Sequence, residues 1–329
     1  MSSGFRHRKY SKIPIGSLAF EDGLFDVVYH PPGMGLNNPL NYCYMNVVVQ
    51  CLYGLPEFRG LFLNGAVLNG LRNANTSVSK GITELFGQMS RNTSGLCVSQ
   101  FRSIFLHHKN FRNYSNDNQQ DASEFMISLI NHLHEEVDVE GNSPISSLFY
   151  SCIKRVFICS KCELEVAVKS EISSTLEIYC SNIRVEKCVE DHFIECHPIT
   201  VFNNGGCECN VEFRGRCYFE PRSILIINLK GDRNVKFDMV LDMGKYVAAS
   251  NVQSTKYVVH GVIQHLRNGE GGHYVVYLKL CDKWYLFDDS ALSITREEVV
   301  MNQSAYSIIY RQTDLCGDLR TYDPLSVFV

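Results

Sequence analysis

Cys43 stands where a turn-forming segment of the sequence meets an apolar one. Gly, Asn and Pro residues cluster between Gly35 and Tyr42, and the chain is mostly apolar from Val47 to Leu55. A loop leading into a helix here would place Cys43 in the first helical turn, where the helix dipole favours the reactive thiolate. Taken alone, a cysteine in an apolar segment is far more often a core residue than a nucleophile.

His273 follows two glycines at the start of an alternating strand, and a second strand, Trp284 to Phe287, ends in the carboxylates Asp288 and Asp289. Folded as a hairpin, the two strands would bring Asp288 near the imidazole of His273. That carboxylate would be the orienting group that a Cys–His pair needs. The alternatives are a surface histidine and a solvated turn.

Composition limits the class of protein. The chain has 329 residues, 45% of them hydrophobic, and a formal net charge of -4, so it can build a core and its charge does not indicate a nucleic-acid partner. No apolar run reaches the ~18–20 residues of a membrane span, and no signal peptide is recognisable. We therefore expect a soluble protein of the cytoplasm or nucleus, with no membrane partner. In that reducing setting its 14 cysteines would be buried, metal-bound or nucleophilic.

Helical periodicity dominates the first part of the chain, and strand patterns dominate the last. An apolar stripe from Phe125 to Leu133 predicts a helix, with Asn118, three positions before Asp121, as its N-cap. Shorter helices are predicted near 79–90 and 99–108. Predicted strands cover 224–229, 257–264, 274–280, 284–287 and 305–310. This order predicts an α+β fold. One local feature conflicts with the helix expected after Cys43, because the β-branched run Val47 to Val49 has a low helix propensity.

Together the two catalytic segments resemble the signature boxes of the ubiquitin-specific proteases, papain-like enzymes that cut after the last glycine of ubiquitin. Gln119-Gln120-Asp121-Ala122-Ser123-Glu124-Phe125 resembles a third family segment. The resemblance covers about residues 33–312 and implies a right-hand architecture. A helical thumb (about 33–145), β fingers (about 146–222) and an antiparallel-sheet palm (about 223–312) would follow an N-terminal extension, 1–32, and precede a C-terminal tail, 313–329.

The resemblance assigns catalytic roles by position. Cys43 would be the nucleophile, His273 the general base and acid, and Asp288 the residue that orients the imidazole. Asn38, five residues before the cysteine, matches the asparagine whose amide helps to form the family's oxyanion hole. Donors of this kind are worth about 10²–10³ in rate.

The resemblance also implies a channel for the ubiquitin tail. Asp121 matches a carboxylate that pairs with arginines of that tail, a geometrically specific contact. Gln119, Gly272 and Tyr274 are the other expected substrate contacts. Because glycines beside the base let the enzyme backbone crowd the tail, we expect selectivity for tails ending in Gly-Gly.

The sequence departs from the family pattern near the nucleophile and in one palm loop. Leu40 replaces a glycine and Tyr42 a threonine, so we expect a strained or rearranged loop before Cys43. After Lys230 the family usually has a longer loop, whereas here a short segment begins at Gly231.

A cysteine-rich segment carries a possible metal site. Cys159 and Cys162 form a C-x-x-C pair, and Cys207 and Cys209 form a C-x-C pair. In the family, two such pairs often hold one structural zinc, for which four thiolates are suitable ligands. The tighter second spacing leaves three readings: a structural zinc, a metal-free fingertip, or redox chemistry. Substitute zinc ligands could come from the segment between the pairs, namely Cys188, His192, Cys196 and His197.

Function follows from the resemblance. We expect a monomeric thiol hydrolase, without a catalytic cofactor, that acts on ubiquitin and ubiquitinated proteins through an acyl-enzyme on Cys43. A ubiquitin-binding pseudoenzyme and a protease for another ubiquitin-like modifier are the alternatives. Intact Cys43, His273 and Asp288 argue against the pseudoenzyme.

Overall fold

A computed structural model of the chain describes residues 35–71, 77–91, 93–194, 209, 213–231, 235–247, 254–268 and 271–313. The predicted N-terminal extension and nearly all of the predicted C-terminal tail lie outside these ranges. So do Cys196, His197 and Cys207, together with most of the short segment after Lys230.

Helices form most of the first part of the described chain, as predicted. They are α1 (Cys43–Gly54), α2 (Pro56–Leu63), α3 (Ala66–Asn69), α4 (Val78–Ser90), α5 (Ser99–Phe105), α6 (Ala122–Val137) and α7 (Pro144–Phe149), followed later by α8 (Val185–Ile194) and α9 (Glu297–Met301). The helices predicted near 79–90 and 99–108 are confirmed as α4 and α5, although α5 ends three residues early. None of these helices is long and apolar enough to cross a membrane, a finding that covers the described residues only.

The strands of the described residues form two sheets. They are β1 (Ser151–Cys159), β2 (Glu165–Ser173), β3 (Leu176–Cys180), β4 (Phe213–Glu220), β5 (Ile224–Gly231), β6 (Val240–Asp242), β7 (Lys256–Asn268), β8 (Gly271–Leu280), β9 (Lys283–Asp288), β10 (Ala291–Thr295) and β11 (Ala305–Gln312). The smaller sheet has the order β2-β1-β4. The larger has the order β10-β9-β8-β7-β11-β5-β3, with β6 paired to β7. All five predicted strands of the last third are present, and among the strands of the described ranges β3 and β5 are the pair that runs parallel.

The helix α1 lies at the centre of the molecule, between α6 and β8. Its β-branched run, Val47 to Val49, is at most 2% exposed. Burial on every side stabilises this helix more than the unfavourable propensity of three valines destabilises it. The helix predicted after Cys43 is therefore confirmed despite its composition.

Strands β5 and β11 of the larger sheet are buried on both faces, and this explains their continuous apolar sequences. Along β5, Ile224 and Ile226 join the core around α1, whereas Leu225 and Ile227 join a second core that includes α8. The papain-like α+β fold puts the amino end of α1 against the β8–β9 end of this sheet.

Candidate active site

Cys43 is the first residue of α1, so its thiol lies at the amino end of a 12-residue helix. Tyr42 is the N-cap residue and provides no side-chain cap. The N–H groups of the first turn and the helix dipole favour negative charge at this position. The arrangement therefore suits a thiolate nucleophile.

Asparagines shape the loop before the nucleophile. Asn38 Oδ1 accepts a hydrogen bond from the backbone N–H of Tyr42 at 2.6 Å. Asn41 has a φ of 49°, in the left-handed region that asparagine tolerates better than most residues. Leu40 does not have a positive φ. The left-handed position therefore falls on Asn41, and replacing the family glycine by Leu40 does not strain the backbone.

Tyr42, the other departure from the family pattern, is buried and packs against Arg102. The guanidinium carbon of Arg102 lies 5.2 Å from the centroid of the Tyr42 ring, a cation–π contact. Arg102 also donates to the carbonyl oxygens of Tyr114 and Asn116, at 2.8 and 2.9 Å. The tyrosine thus ties the nucleophile loop to the segment that leads to Gln119.

The β8–β9 hairpin forms as predicted and joins His273 to Asp288. The imidazole Nε2 of His273 lies 2.6 Å from Asp288 Oδ1. A hydrogen bond to Cys43, followed by the bond to Asp288, raises the pKa of His273 to about 9 although partial burial opposes this. The raised pKa means that the imidazolium is stabilised, and the imidazolium is the form that pairs with a thiolate. Since Nε2 faces Asp288, Nδ1 is the nitrogen left for Cys43.

Asp289 follows directly in sequence but takes a different place. Its φ is 50°, and its Oδ2 lies 3.9 Å from Nε2 of His273, beyond hydrogen-bond distance. Its two carboxylate oxygens accept hydrogen bonds from Asn38 Nδ2 and Asn46 Nδ2, each at 2.8 Å. The structure therefore separates the adjacent carboxylates, one toward the imidazole and the other toward the nucleophile loop.

Gln119 lies between the amino end of α1 and the start of β8. Its Nε2 is 3.7 Å from Cys43 Sγ and donates a hydrogen bond to the carbonyl oxygen of Gly272. Gln119, a predicted contact of the substrate tail, therefore contacts Cys43 on one side and Gly272 on the other.

Asp121 is the N-cap of α6, and the predicted cap at Asn118 is wrong. Asp121 Oδ1 accepts from the backbone N–H groups of Ser123 and Glu124, at 2.7 and 3.2 Å, because α6 begins at the next residue, Ala122. Its Oδ2 accepts from Tyr306 Oη. Burial favours the neutral acid, but the bonds from Tyr306 and Ser123 outweigh it and hold the pKa of Asp121 below its ordinary value.

An aromatic cluster on the larger sheet includes Tyr274, which follows His273 in the sequence. Tyr274 is 3% exposed, stacks on His265 at a centroid distance of 4.2 Å, and meets the edge of Tyr306 at 5.4 Å. A Cβ on Gly272 would lie 2.0 Å from His265 Nε2, so any larger residue here would have to displace the His265 ring from its stack on Tyr274. Gly272 and Tyr274 are thus part of this packed cluster, and their substrate contacts remain predictions.

Three of the four predicted zinc ligands come together at the end of the smaller sheet. The sulfur atoms of Cys159, Cys162 and Cys209 all lie within 4.8 Å of one another. The backbone N–H of Lys161 points to Cys159 Sγ at 3.4 Å. Three convergent thiols at the tip of two strands fit a structural zinc, and the fourth predicted ligand, Cys207, lies outside the described residues.

The predicted substitute ligands do not join this cluster where they are described. Cys188 is buried in the core around α8, and its thiol points to the carbonyl oxygen of Asn182 at 3.5 Å. His192 lies on α8 and is not part of the three-cysteine group.

Sequence reasoning missed Asn46, Tyr306 and His265. Asn46 stands three residues after Cys43, a spacing that puts both on one side of a helix and could have revealed it. Tyr306 and His265 meet the site through the pairing of β7 and β11, distant segments for which no local signal existed.

The ubiquitin carboxyl-terminal hydrolase family model matches residues 34–310. Curated relatives include probable ubiquitin carboxyl-terminal hydrolase 8 of Schizosaccharomyces pombe, 23% identical over 299 residues that cover 85% of this chain and 65% of the relative. Ubiquitin carboxyl-terminal hydrolase 23 of Arabidopsis thaliana is 23% identical over 88% of this chain and 37% of its own length. This chain therefore spans less than two thirds of these relatives.

Solved structures with the same fold include SAGA DUB modules that contain Ubp8, Sgf11, Sus1 and Sgf73. One, bound to monoubiquitin, has a TM-score of 0.73 and 20% identity over 85% of this chain and 69% of its own. Another, bound to ubiquitin aldehyde, has a TM-score of 0.71 with the same identity and coverage. At 20% identity, these structural similarities show a shared fold. The family model matches residues 34–310, which are most of the chain. The chain belongs to the ubiquitin carboxyl-terminal hydrolase family.

Proposed function

We propose that this chain is a thiol hydrolase that cleaves isopeptide or peptide bonds after the C-terminal glycine of ubiquitin. The observation that carries the proposal is the set of Cys43, His273 and Asp288: the imidazole Nε2 lies 2.6 Å from the carboxylate, and interaction with the Cys43 thiol is the largest cause of the raised pKa of His273. A nucleophile, a base and an orienting group are the parts that acyl transfer requires. Membership of the family supports ubiquitin as the substrate.

In the first half of the reaction, the thiolate of Cys43 attacks the carbonyl carbon of the last glycine. The amide group of Asn38 carries two N–H donors, of which one is directed at Asp289. The other is the proposed donor to the oxyanion. The imidazolium of His273 then protonates the departing amine, and a thioester to Cys43 remains.

In the second half, His273 removes a proton from water, and the resulting hydroxide attacks the thioester. The tetrahedral intermediate collapses, Cys43 leaves as the thiolate, and the ubiquitin carboxylate departs. Asp288 stabilises the imidazolium in both halves and holds the ring in one orientation.

The tail of ubiquitin is proposed to enter between Gln119 and Gly272. Asp121, held by Tyr306, would anchor an arginine of the tail by a charge-assisted hydrogen bond. Gln119 Nε2 contacts both Cys43 Sγ and the carbonyl oxygen of Gly272, so the two sides of the proposed channel lie close together. This closeness supports selection for glycine at the end of the tail.

We also propose that Cys159, Cys162 and Cys209, with Cys207, hold one zinc ion at the tip of the smaller sheet. The ion would join the end of β1 to the segment before β4 and thereby stabilise the fingers. It takes no part in the thiol chemistry.

Hydrolysis of a fluorogenic ubiquitin substrate tests the proposed function directly. Wild-type protein should release the fluorophore, Cys43→Ala should not, and both should bind ubiquitin. Parallel substrates built on other ubiquitin-like modifiers identify the modifier. Ubiquitin binding without turnover by the wild type would instead support a scaffold, and turnover of another modifier alone would replace ubiquitin as the substrate.

A further inference from the structure

Asn46 is a buried polar residue on α1, one turn after the nucleophile. It is 3% exposed, and its Nδ2 donates to Asp289 Oδ1 at 2.8 Å and to the carbonyl oxygen of Leu36 at 3.1 Å. Both acceptors belong to segments that flank the reacting thiol. Asn46 therefore connects the central helix to the loop before it and to the β9 end of the palm.

Asp289 also bonds to Asn38, the proposed oxyanion donor. Its Oδ2 accepts from Asn38 Nδ2 at 2.8 Å, while Asn38 Oδ1 accepts from Tyr42 N–H at 2.6 Å. The backbone agrees, because the carbonyl oxygen of Asp289 accepts from Leu36 N–H at 2.8 Å. Both ends of the Asn38 amide are thus held, one by the nucleophile loop and the other by Asp289.

Gly35 allows the loop before Cys43 to approach the backbone of the turn that follows β9. A Cβ on Gly35 would lie 2.4 Å from the carbonyl oxygen of Asp289 and 2.4 Å from the carbonyl carbon of Ser290. Distances that short exclude any other residue at this backbone position. The loop and the palm turn are therefore in direct contact at the point where the connection passes.

Asn46 also carries an unfavourable feature. Its Oδ1 is buried and has no hydrogen-bond partner within the described part of the chain. A buried acceptor without a partner lowers stability, and buried groups of this kind are rare enough to require a reason. The two bonds from Nδ2, which an apolar side chain could not make, provide that reason.

We propose that Asn46 is a positioning residue for the hydrolytic reaction: it anchors Asp289, and Asp289 in turn aims the amide of Asn38 at the oxyanion. This inference rests on the proposed function. It gives the second aspartate a task separate from that of Asp288, because an Asp289 carboxylate held by two asparagines stays away from the imidazole.

Kinetics and thiol labelling together separate positioning of the oxyanion donor from an effect on the thiol itself. Asn46→Ala should lower kcat for a fluorogenic ubiquitin substrate by about 10²-fold, as loss of an oxyanion donor does, with KM changed less than about twofold. Alkylation of Cys43 by iodoacetamide needs no oxyanion hole and should proceed at the wild-type rate. Unchanged alkylation also shows that the variant is folded around Cys43.

An exchange of side chains provides a second, independent variant. Asn46→Asp places two carboxylates together and should lower kcat at least as far as Asn46→Ala. Combining it with Asp289→Asn restores a donor–acceptor pair between the two positions and an acceptor for Asn38, so about tenfold or more of the loss should return. Asn37→Ala is the matched control, because its amide bonds instead to the carbonyl oxygen of Gly95, and it should retain wild-type kcat within about twofold.

Three results would overturn the inference while leaving the proposed function intact. They are wild-type kcat in Asn46→Ala, alkylation that falls in parallel with kcat, and no recovery in the exchanged pair. Absence of turnover by the wild-type protein would overturn the proposed function, and the inference with it.

Discussion

Asp288 Oδ1 lies 2.6 Å from Nε2 of His273, whereas the next residue, Asp289, keeps its nearest oxygen 3.9 Å from the same atom. The difference arises because Asp289 has a φ of 50° and directs its carboxylate to Asn38 and Asn46. Two adjacent residues of one type thus serve two separate hydrogen-bond networks. One network raises the pKa of His273, and the other holds the loop before Cys43.

Asp288→Asn should shift the alkaline limb of kcat/KM to lower pH. The pKa of His273 is raised to about 9, first by the bond to Cys43 and then by Asp288. The imidazolium therefore persists below about pH 9 and is lost above it. Removing the carboxylate charge lowers this pKa, so the protonated form is lost at a less alkaline pH.

Rates on a fluorogenic ubiquitin substrate between pH 6 and pH 10 would locate the limb. We expect kcat/KM at pH 7.5 to fall by about tenfold or more in Asp288→Asn. Asp289→Asn should lower kcat with a smaller shift of the limb, since that carboxylate lies beyond hydrogen-bond distance of the imidazole. If the alkaline limb does not move in Asp288→Asn, or moves further in Asp289→Asn, then Asp289 rather than Asp288 is the residue that orients the imidazole.

Tyr306→Phe should raise KM for ubiquitin substrates about three- to tenfold while kcat changes little. The hydroxyl of Tyr306 donates to Asp121 Oδ2, and without it the carboxylate is less well held for an arginine of the tail. This variant is cleaner than Asp121→Ala, which also removes the N-cap of α6 at a cost of about 0.5–2 kcal/mol in stability.

Tyr310→Phe is the control for that experiment, because Tyr310 lies on the same strand, β11, and its buried hydroxyl has no hydrogen-bond partner among the described residues. It should keep the wild-type KM. Equal KM values for Tyr306→Phe and the wild type would remove Asp121 from the proposed tail channel.

Protein purified without chelator should contain about one equivalent of zinc by elemental analysis. Cys162→Ser should lose the metal and lower the melting temperature by several degrees, with kcat nearly unchanged, because a zinc ion on the three-cysteine group would stabilise the end of the smaller sheet rather than the proposed active site. Cys281→Ser, an exposed cysteine in a turn, is the control and should keep the metal. Metal-free wild-type protein with a melting temperature insensitive to chelator would contradict the zinc proposal.

Local patterns were sufficient to predict the elements that carry the proposed catalytic residues. The turn-forming run before Cys43 predicted the start of α1, and alternation after His273 predicted the hairpin that reaches Asp288. The N-cap of α6 was misplaced because the apolar stripe sets the face of a helix but not its first residue. Asp121 caps it by bonding to Ser123 and Glu124.

Contacts between distant segments could not be predicted in the same way. The tasks of Asp288 and Asp289 are separated by one backbone torsion and by Asn46, 243 positions away from Asp289 in the sequence. Likewise, Tyr306 reaches Asp121 across 185 positions. Such pairs depend on how α1, α6 and the larger sheet pack, which no local period encodes.

Labelling with ubiquitin that carries a C-terminal vinyl sulfone is the most direct test of the central claim that Cys43 is the nucleophile. The thiolate adds to the electrophile, and peptide mapping by mass spectrometry identifies the modified residue. We predict one ubiquitin adduct per chain, attached to Cys43, and none in Cys43→Ala. An adduct on Cys51, Cys97 or Cys159, or equal labelling of Cys43→Ala, would contradict the account.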